Sequence, residues 1–294
     1  MPDLVIGADP ELFVFNGNKP VSGWGMVEGT KARPTAVKHG AVQVDGMALE
    51  INIDPVDDVD KFHRNINSVL RSLRKMIPDG HELKAVPTVR FSEKVMKDAP
   101  KAAKELGCDP DWNAYTEKQN PRPRAIGNRK FLRTGAGHIH LGWTADQQVD
   151  QLSHFLACVQ MTKQLDLYVG LPSLLFDNDR ERQQLYGKAG TFRPKPYGVE
   201  YRTPSNFWVQ KKSYREMIFN LVNYAFEDLR NYRGLTADGE NLDADNIRDV
   251  FNAGDKLGAM HLITAAGILE EDWECLPESQ WGRYFLREYQ NRWW

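Results

Sequence analysis

The sequence is poor in cysteine. Its 294 residues hold three, Cys108, Cys158 and Cys275, with no C-x-x-C pair among them, which excludes a disulfide framework and a cysteine zinc site and suits a reducing compartment. No G-x-x-x-x-G-K-[ST] occurs, so a P-loop nucleotide site is excluded. No apolar run approaches the roughly 18 residues that would span a bilayer, and the opening MPDLVIGADPEL lacks a basic leader followed by an apolar stretch, so no secretory signal is expected. Charge of one sign is also missing: a formal net charge of −2 argues against a dedicated nucleic-acid binder while leaving room for a local basic pocket. There is no internal repeat, no low-complexity tract and no domain boundary marked by composition. The expectation is a cytoplasmic globule, with 41% hydrophobic and 27% charged residues, long enough to bury a full core.

What is present is a recurring grammar of short strands. Residues i and i+2 of a strand face the same way. In PYGVEYRTPSN, Glu200 and Arg202 therefore point together, while Val199 and Tyr201 point to the other side. Asp9 and Glu11 share one parity. Glu50 and Asn52 share a face opposite Leu49, Ile51 and Ile53. In Gly137-His138-Ile139-His140-Leu141 the two imidazoles face one way and the aliphatics the other. Four segments thus offer an apolar back and a polar front.

Between these segments the periodicity predicts long helices. One follows Asp57 or Asp58 with Phe62, Ile66, Val69, Leu70, Leu73 and Ile77 at helical spacing, and stops at Pro78-Asp79-Gly80. A second is predicted from a Thr144 cap to about Gly170 with Val149, Leu152, Leu156 and Val159 inward. A third opens at Ser213, with Ile218, Leu221, Val222, Ala225 and Leu229 on one face. Leu4–Phe15 reads as a first strand closed by a turn at Asn16-Gly17-Asn18, Thr35–Asp45 as a hairpin about His39-Gly40, Lys84–Val89 and Ser173–Phe176 as short strands, and 92–106 as a weak helix. Residues 107–115, 119–136 and 177–193 read as loops, the last two basic and punctuated by glycine. Beyond Gly234 a polar connection and shorter helices are expected, with Trp281, Tyr284, Phe285 and Tyr289 as a packing stripe. The implied class is α+β: one domain with an antiparallel sheet and helices on its apolar face.

Glu11, Glu50 and Glu200 with an imidazole are hard oxygen ligands plus a nitrogen, a set that suits Mg²⁺ or Mn²⁺. Such acids repel one another unless cations neutralise them. Arg202 with Arg182 or Arg193 could grip a migrating phosphoryl group. Each piece alone has a plain structural reading: an H-x-H as packing, an E-x-R as a cross-strand ion pair, an acid in a first strand as surface. Their repetition across four segments favours a shared site.

GADPELFVF, VDGMALEINIDP, GCDPDWNAYT, RTGAGHIHLGW and LYGKAGTFRPKPYGVEYRTPSN together resemble the phage-type carboxylate–amine ligases, or amidoligases, distant relatives of glutamine synthetase and glutamate–cysteine ligase. The resemblance spans about residues 4–210 and does not extend to the helical C-terminal part. It implies a glutamine-synthetase-like catalytic domain, whose curved antiparallel sheet holds ATP and two or three Mg²⁺ (or Mn²⁺) on its concave face. Asp9 and Glu11 then match an E-x-E metal pair, with Asp9 a departure from it. Glu50 and Glu200 match further metal-binding acids with catalytic roles. His138 falls where a metal ligand is expected, His140 where phosphate is contacted, and Arg202 where an arginine steadies the phosphoryl group. Arg182 and Arg193 match phosphate or substrate carboxylate more loosely. The implied reaction joins a small-molecule or peptide carboxylate to an amine through an acyl phosphate, in a host cytoplasm if the gene is a phage's. The rivals are a metal-dependent hydrolase and a non-catalytic phage protein retaining the fold. No nucleic-acid or membrane partner is expected, and the Trp293-Trp294 pair leaves a homo-oligomer open.

Overall fold

A computed structural model describes residues 4–104, 111–121, 130–237 and 240–268. The first half of the chain is built mainly of strands: β1 (Val5–Ala8), β2 (Glu11–Asn16), β3 (Lys19–Val21), β4 (Thr35–Val37), β5 (Gly40–Asp45) and β6 (Ala48–Val56) precede helix α1 (Val59–Arg74). After β7 (His81–Lys84) and β8 (Thr88–Arg90) come two short helices, α2 (Glu93–Asp98) and α3 (Lys101–Lys104), and the small strands β9 (Trp112–Asn113), β10 (Lys118–Gln119) and β11 (Leu132–Thr134). β12 (Ile139–Gly142) leads into α4 (Leu152–Leu165), a π-helical turn at Asp166–Gly170, α5 (Leu171–Ser173) and α6 (Arg180–Leu185). β13 (Thr191–Lys195) and β14 (Gly198–Tyr201) complete the large sheet. α7 (Lys212–Arg230), α8 (Ala244–Ala253) and α9 (Lys256–Ala265) lie beyond it.

The expected α+β class is what forms. The sheet runs β10-β9-β13-β14-β12-β1-β6-β2-β3, with β5 and β7 branching onto β6 and β2, and its paired strands are antiparallel. Ile6, Leu12, Leu49, Ile51, Ile139, Leu141, Phe192 and Val199 form its apolar back. Against that back pack Phe62, Ile66 and Val69 of α1, Cys158, Val159 and Leu165 of α4, and Ile218, Leu221 and Val222 of α7. Asp58 caps α1, accepting from the Lys61 N–H at 2.8 Å, as its place before the apolar stripe predicts. At one end the front face is covered by a second core in which Phe13, Met47, Val89, Phe91 and Ala103 meet under α2 and α3.

Several elements differ from the sequence reading. The strand expected over Leu4–Phe15 is two, because Pro10 has no N–H to give the ladder; the register nevertheless continues through the break, from Ala8↔Ile53 to Glu11↔Glu50. Lys84–Val89 likewise divides between β7 and β8, and the helix expected over 92–106 divides at Pro100 into α2 and α3. Ser173–Phe176 is helix end and turn, not strand, and the loop expected over 177–193 contains α6 and most of β13.

α4 begins at Leu152 with Gln151 as its cap, not at Thr144, and its inward face is not the one expected. Val149, Leu152 and Leu156 are exposed, whereas His154, Cys158, Thr162 and Leu165 are buried with Val159. Counting only apolar residues missed this face because its polar members carry their own hydrogen bonds. His154 Nε2 meets Lys195 O at 2.8 Å and the Thr162 hydroxyl donates to Cys158 O at 2.7 Å. Residues Trp281, Tyr284, Phe285, Tyr289, Trp293 and Trp294 lie outside the described residues.

Candidate active site

Sheet register builds the front face in two rows. In one, Arg193, Glu200, His140 and Gly7 are lateral neighbours on β13, β14, β12 and β1. In the other, Glu11, Glu50 and Gln43 are neighbours on β2, β6 and β5. Asp9 sits at the break between β1 and β2, with His138 Nδ1 and His140 Nε2 each 3.2 Å from its carboxylate. Asp9, Glu11, Glu50, His138, His140, Glu200 and Arg202 therefore share one face.

The acids fall into two groups of three whose ligand atoms lie within 4.8 Å of one another: Asp9 with His140 and Glu200, and Glu11 with Asp45 and Glu50. The first group contains His140 rather than His138. The second contains Asp45, which the sequence reading places at the end of a hairpin and not among the site residues. It is the pairing of β5 along β6 that sends Asp45 toward the Glu50 row, with Gln43 opposite Glu50 and Asp45 opposite Ala48.

The two groups differ electrostatically. Burial raises both glutamates of the second: Glu11 is pushed up to about 8 by burial and by Asp45, with an N–H from Ala136 at 3.0 Å opposing. Glu50 is pushed well above its ordinary value by burial and then by Asp9, Asp45 and Glu11. Gln43 Nε2 and Asn52 Nδ2 both donate to Glu50 Oε1, at 2.7 and 3.2 Å. In the first group burial also opposes ionisation, but the imidazoles of His140 and His138 hold Asp9 well below the usual carboxylate range. Arg202 does the same for Glu200. Burial lowers His138 and is overcome at His140, which the Asp9 and Glu200 carboxylates raise.

Glu200 gathers the cations of the site. Lys195 Nζ stands 2.7 Å and Arg193 Nη1 3.3 Å from its carboxylate, and Arg202 Nη1 makes the closest contact. Arg202 also gives its Nε to Asp111 Oδ2 at 3.2 Å. Arg182 is buried differently: its Nε, Nη1 and Nη2 donate to the main-chain carbonyls of Gly135, Thr203 and Pro204 at 3.0, 2.8 and 2.7 Å. It fastens the chain around the site, and burial lowers it to about 10. Lys195, Asp111 and Tyr197, whose hydroxyl meets His140 Nδ1 at 2.5 Å, are site residues that strand parity alone did not single out. Arg122, Arg124 and Arg129 of the basic stretch lie outside the described residues.

Two cavities flank the rows. A polar cleft of about 100 Å³ is lined by Glu11, Asp45, Asp111, Arg133, His138 and Arg202. A larger, more apolar one of about 480 Å³ is lined by Gly7, Asn52, Pro55, His140, Trp143 and Tyr197.

The donor set fits divalent cations. Carboxylate oxygens with one imidazole suit hard ions. Asp9 Oδ1 and His140 Nε2 are buried and make no hydrogen bond, although each stands 3.2 Å from an ion-pair partner. The crowding that raises Glu11 and Glu50 is what a cation would relieve.

Residues 130–266 match the family model of the phage phiEco32-like COOH.NH2 ligases, type 2. This is the family that the sequence motifs resemble. The matched segment carries His138, His140, Arg182, Arg193, Glu200 and Arg202, while Asp9, Glu11, Asp45 and Glu50 precede it. No curated protein matches the chain. Among solved structures, a bifunctional glutathione synthetase from Pasteurella multocida aligns with a TM-score of 0.44 at 12% identity, over 98% of this chain and 49% of its own, so the chain spans about half of its length. A glutamine synthase homologue aligns at 0.41 and 13% identity, over 98% of this chain and 71% of that one. A GmaS complex with ADP aligns at 0.38 and 10% identity, over 99% and 71%.

Proposed function

We propose that the protein is an ATP-dependent carboxylate–amine ligase that forms an amide through an acyl phosphate. The observation that carries this reading is the pair of three-residue metal-type clusters on one sheet face, Asp9–His140–Glu200 and Glu11–Asp45–Glu50, with the arginine Arg202 between the first and the polar cleft. The family match over residues 130–266 supports it. Divalent cations held by these clusters would neutralise triphosphate charge and polarise the transferring phosphoryl group.

The chain's own residues divide the remaining work. The apolar cavity, walled by Trp143 and Tyr197, suits a purine base, and it opens beside His140 at the end of the first cluster. The polar cleft suits the acid and the amine. In the first step an oxygen of the substrate carboxylate attacks the γ-phosphorus and ADP leaves; in the second the amine nitrogen attacks the acyl carbon, phosphate leaves with the acyl C–O bond pair, and the proton lost from the nitrogen ends on that phosphate. Negative charge builds on the phosphoryl oxygens in the first step and on the acyl oxygen and the departing phosphate in the second. Arg202, aimed by Glu200 and Asp111, supplies a fixed guanidinium there, and Arg193 and Lys195 add charge from the neighbouring strand. Arg182, with its nitrogens committed to carbonyls, holds Gly135 and Thr203 in place.

The test is a screen of carboxylate–amine pairs for ADP release that requires both partners, with Glu200→Ala as the blank. ADP and amide formed in equal amounts support the reading. Amide cleavage without nucleotide would make the protein a metal-dependent hydrolase, and failure to bind ATP would end the ligase reading.

A further inference from the structure

Behind the site, on the helix side of the sheet, lies a carboxylate that the reaction does not use. Asp166 is fully buried in the π-helical turn that follows α4, a local irregularity of a kind that recurs at functional sites. Each of its oxygens takes two donors. Oδ1 accepts from the Tyr201 hydroxyl at 2.7 Å and the Thr203 hydroxyl at 3.3 Å. Oδ2 accepts from the Gly190 N–H at 2.5 Å and the Tyr115 hydroxyl at 3.0 Å.

These donors stand next to the groups that act at the front. Tyr201 and Thr203 flank Arg202 in the chain and reach backward while Arg202 reaches forward. Tyr115 belongs to the β9–β10 hairpin, where its N–H donates to Asn113 Oδ1 at 3.0 Å. That hairpin begins at Asp111, which holds Arg202 Nε. Gly190 opens β13, whose Thr191 O receives the Arg202 N–H at 2.9 Å. A single side chain thus ties down the main chain on both sides of Arg202, the strand beside it and the hairpin that grips its guanidinium.

We infer that Asp166 is a positioning residue that sets the direction of Arg202 by holding the 201–203 segment and the Asp111 hairpin on one carboxylate. The inference rests on the role given to Arg202 above. A carboxylate is required because only two acceptor oxygens can serve both pairs at once; an amide accepts on one side and presents N–H groups to the other. The donors also counter the burial that pushes Asp166 up to about 7.

The experiment compares Asp166→Asn with wild type in the full chain. In the ADP-release assay, kcat falls about tenfold or more while KM for ATP stays within about twofold. Placed on Arg202→Lys, the same substitution lowers kcat by less than about twofold more, because the two act through one group. A core variant of matching thermal stability loss, Val222→Ala, leaves kcat unchanged. An equal loss in both backgrounds, or an equal loss from Val222→Ala, would reduce Asp166 to a structural residue and overturn the inference. Hydrogen exchange supplies a readout that needs no turnover. The Arg202 and Tyr115 amides should exchange faster in Asp166→Asn while those of Gln43 and Glu50 do not change. If wild type releases no ADP with any pair, the ligase reading fails by itself, and unaltered exchange at Arg202 and Tyr115 would still sink the positioning role.

Discussion

Arg202 shows why residue type matters at this site. Its guanidinium reaches Glu200 with one nitrogen and Asp111 with another, and a planar fork of several N–H donors can do both where an ammonium cannot. Arg202→Lys should lower kcat for ADP release about a hundredfold with little change in ATP binding; equal loss in kcat and in nucleotide affinity would contradict the role. The carboxyl groups make a second prediction. Glu11, raised from an ordinary 4.5 to about 8, and Glu50, raised as well, hold protons in the folded state that the unfolded chain has already released. Stability therefore falls as pH rises through that range. His140, raised by Asp9 and Glu200, adds to the fall as pH climbs through its folded value. Asp9 and Glu200 act oppositely: they are held low, so their contribution is present above ordinary carboxylate values and lost only on acidification. Without divalent cations the unfolding midpoint should drop between pH 6 and pH 8, and saturating Mg²⁺ should raise it most at pH 8, because ion and proton compete for the same oxygens. A midpoint that is flat with pH and indifferent to Mg²⁺ would contradict this.

At the scale of elements, the glycine before the histidine strand has a steric reason. A Cβ on Gly137 would lie 2.2 Å from Ser205 O and 2.5 Å from Trp208 Nε1, and the Trp208 indole donates to Gly137 O at 3.0 Å while stacking on Phe62 of α1. The close approach locks the segment that carries His138 and leads into β12 to the helix layer. Gly137→Ala should cost about 1–3 kcal/mol by forcing this contact apart, read as a lower urea midpoint, whereas an unchanged midpoint would show that the contact yields freely. Strand parity was legible because period-two alternation survives even the Pro10 break: Asp9, Glu11, Glu50, His140 and Glu200 do point to one side. Pairing was not legible. Nothing local shows that Asp45 lies beside Glu50, that Lys195 reaches Glu200, or that Asp111 comes back to Arg202, since each contact depends on which strands become neighbours. The α4 face was misread for a related reason, buried His154 and Thr162 being indistinguishable in sequence from surface residues.

In the whole molecule, a large antiparallel sheet turns one face to α1, α4 and α7 and concentrates its ionisable groups on the other. That separation explains how a chain of near-zero net charge keeps a site crowded with both signs: Asp9 and Glu200 are met by Arg193, Lys195, Arg202 and two imidazoles, while Glu11 and Glu50 are crowded by one another and by Asp45. Ligase chemistry at this face requires the acids to be ion-binding clusters rather than a self-neutralised salt-bridge network. Anomalous diffraction from crystals soaked with Mn²⁺ tests this most directly. The predicted result is one peak among Asp9, His140 and Glu200 and another among Glu11, Asp45 and Glu50; difference density with no peak at either cluster would contradict the account.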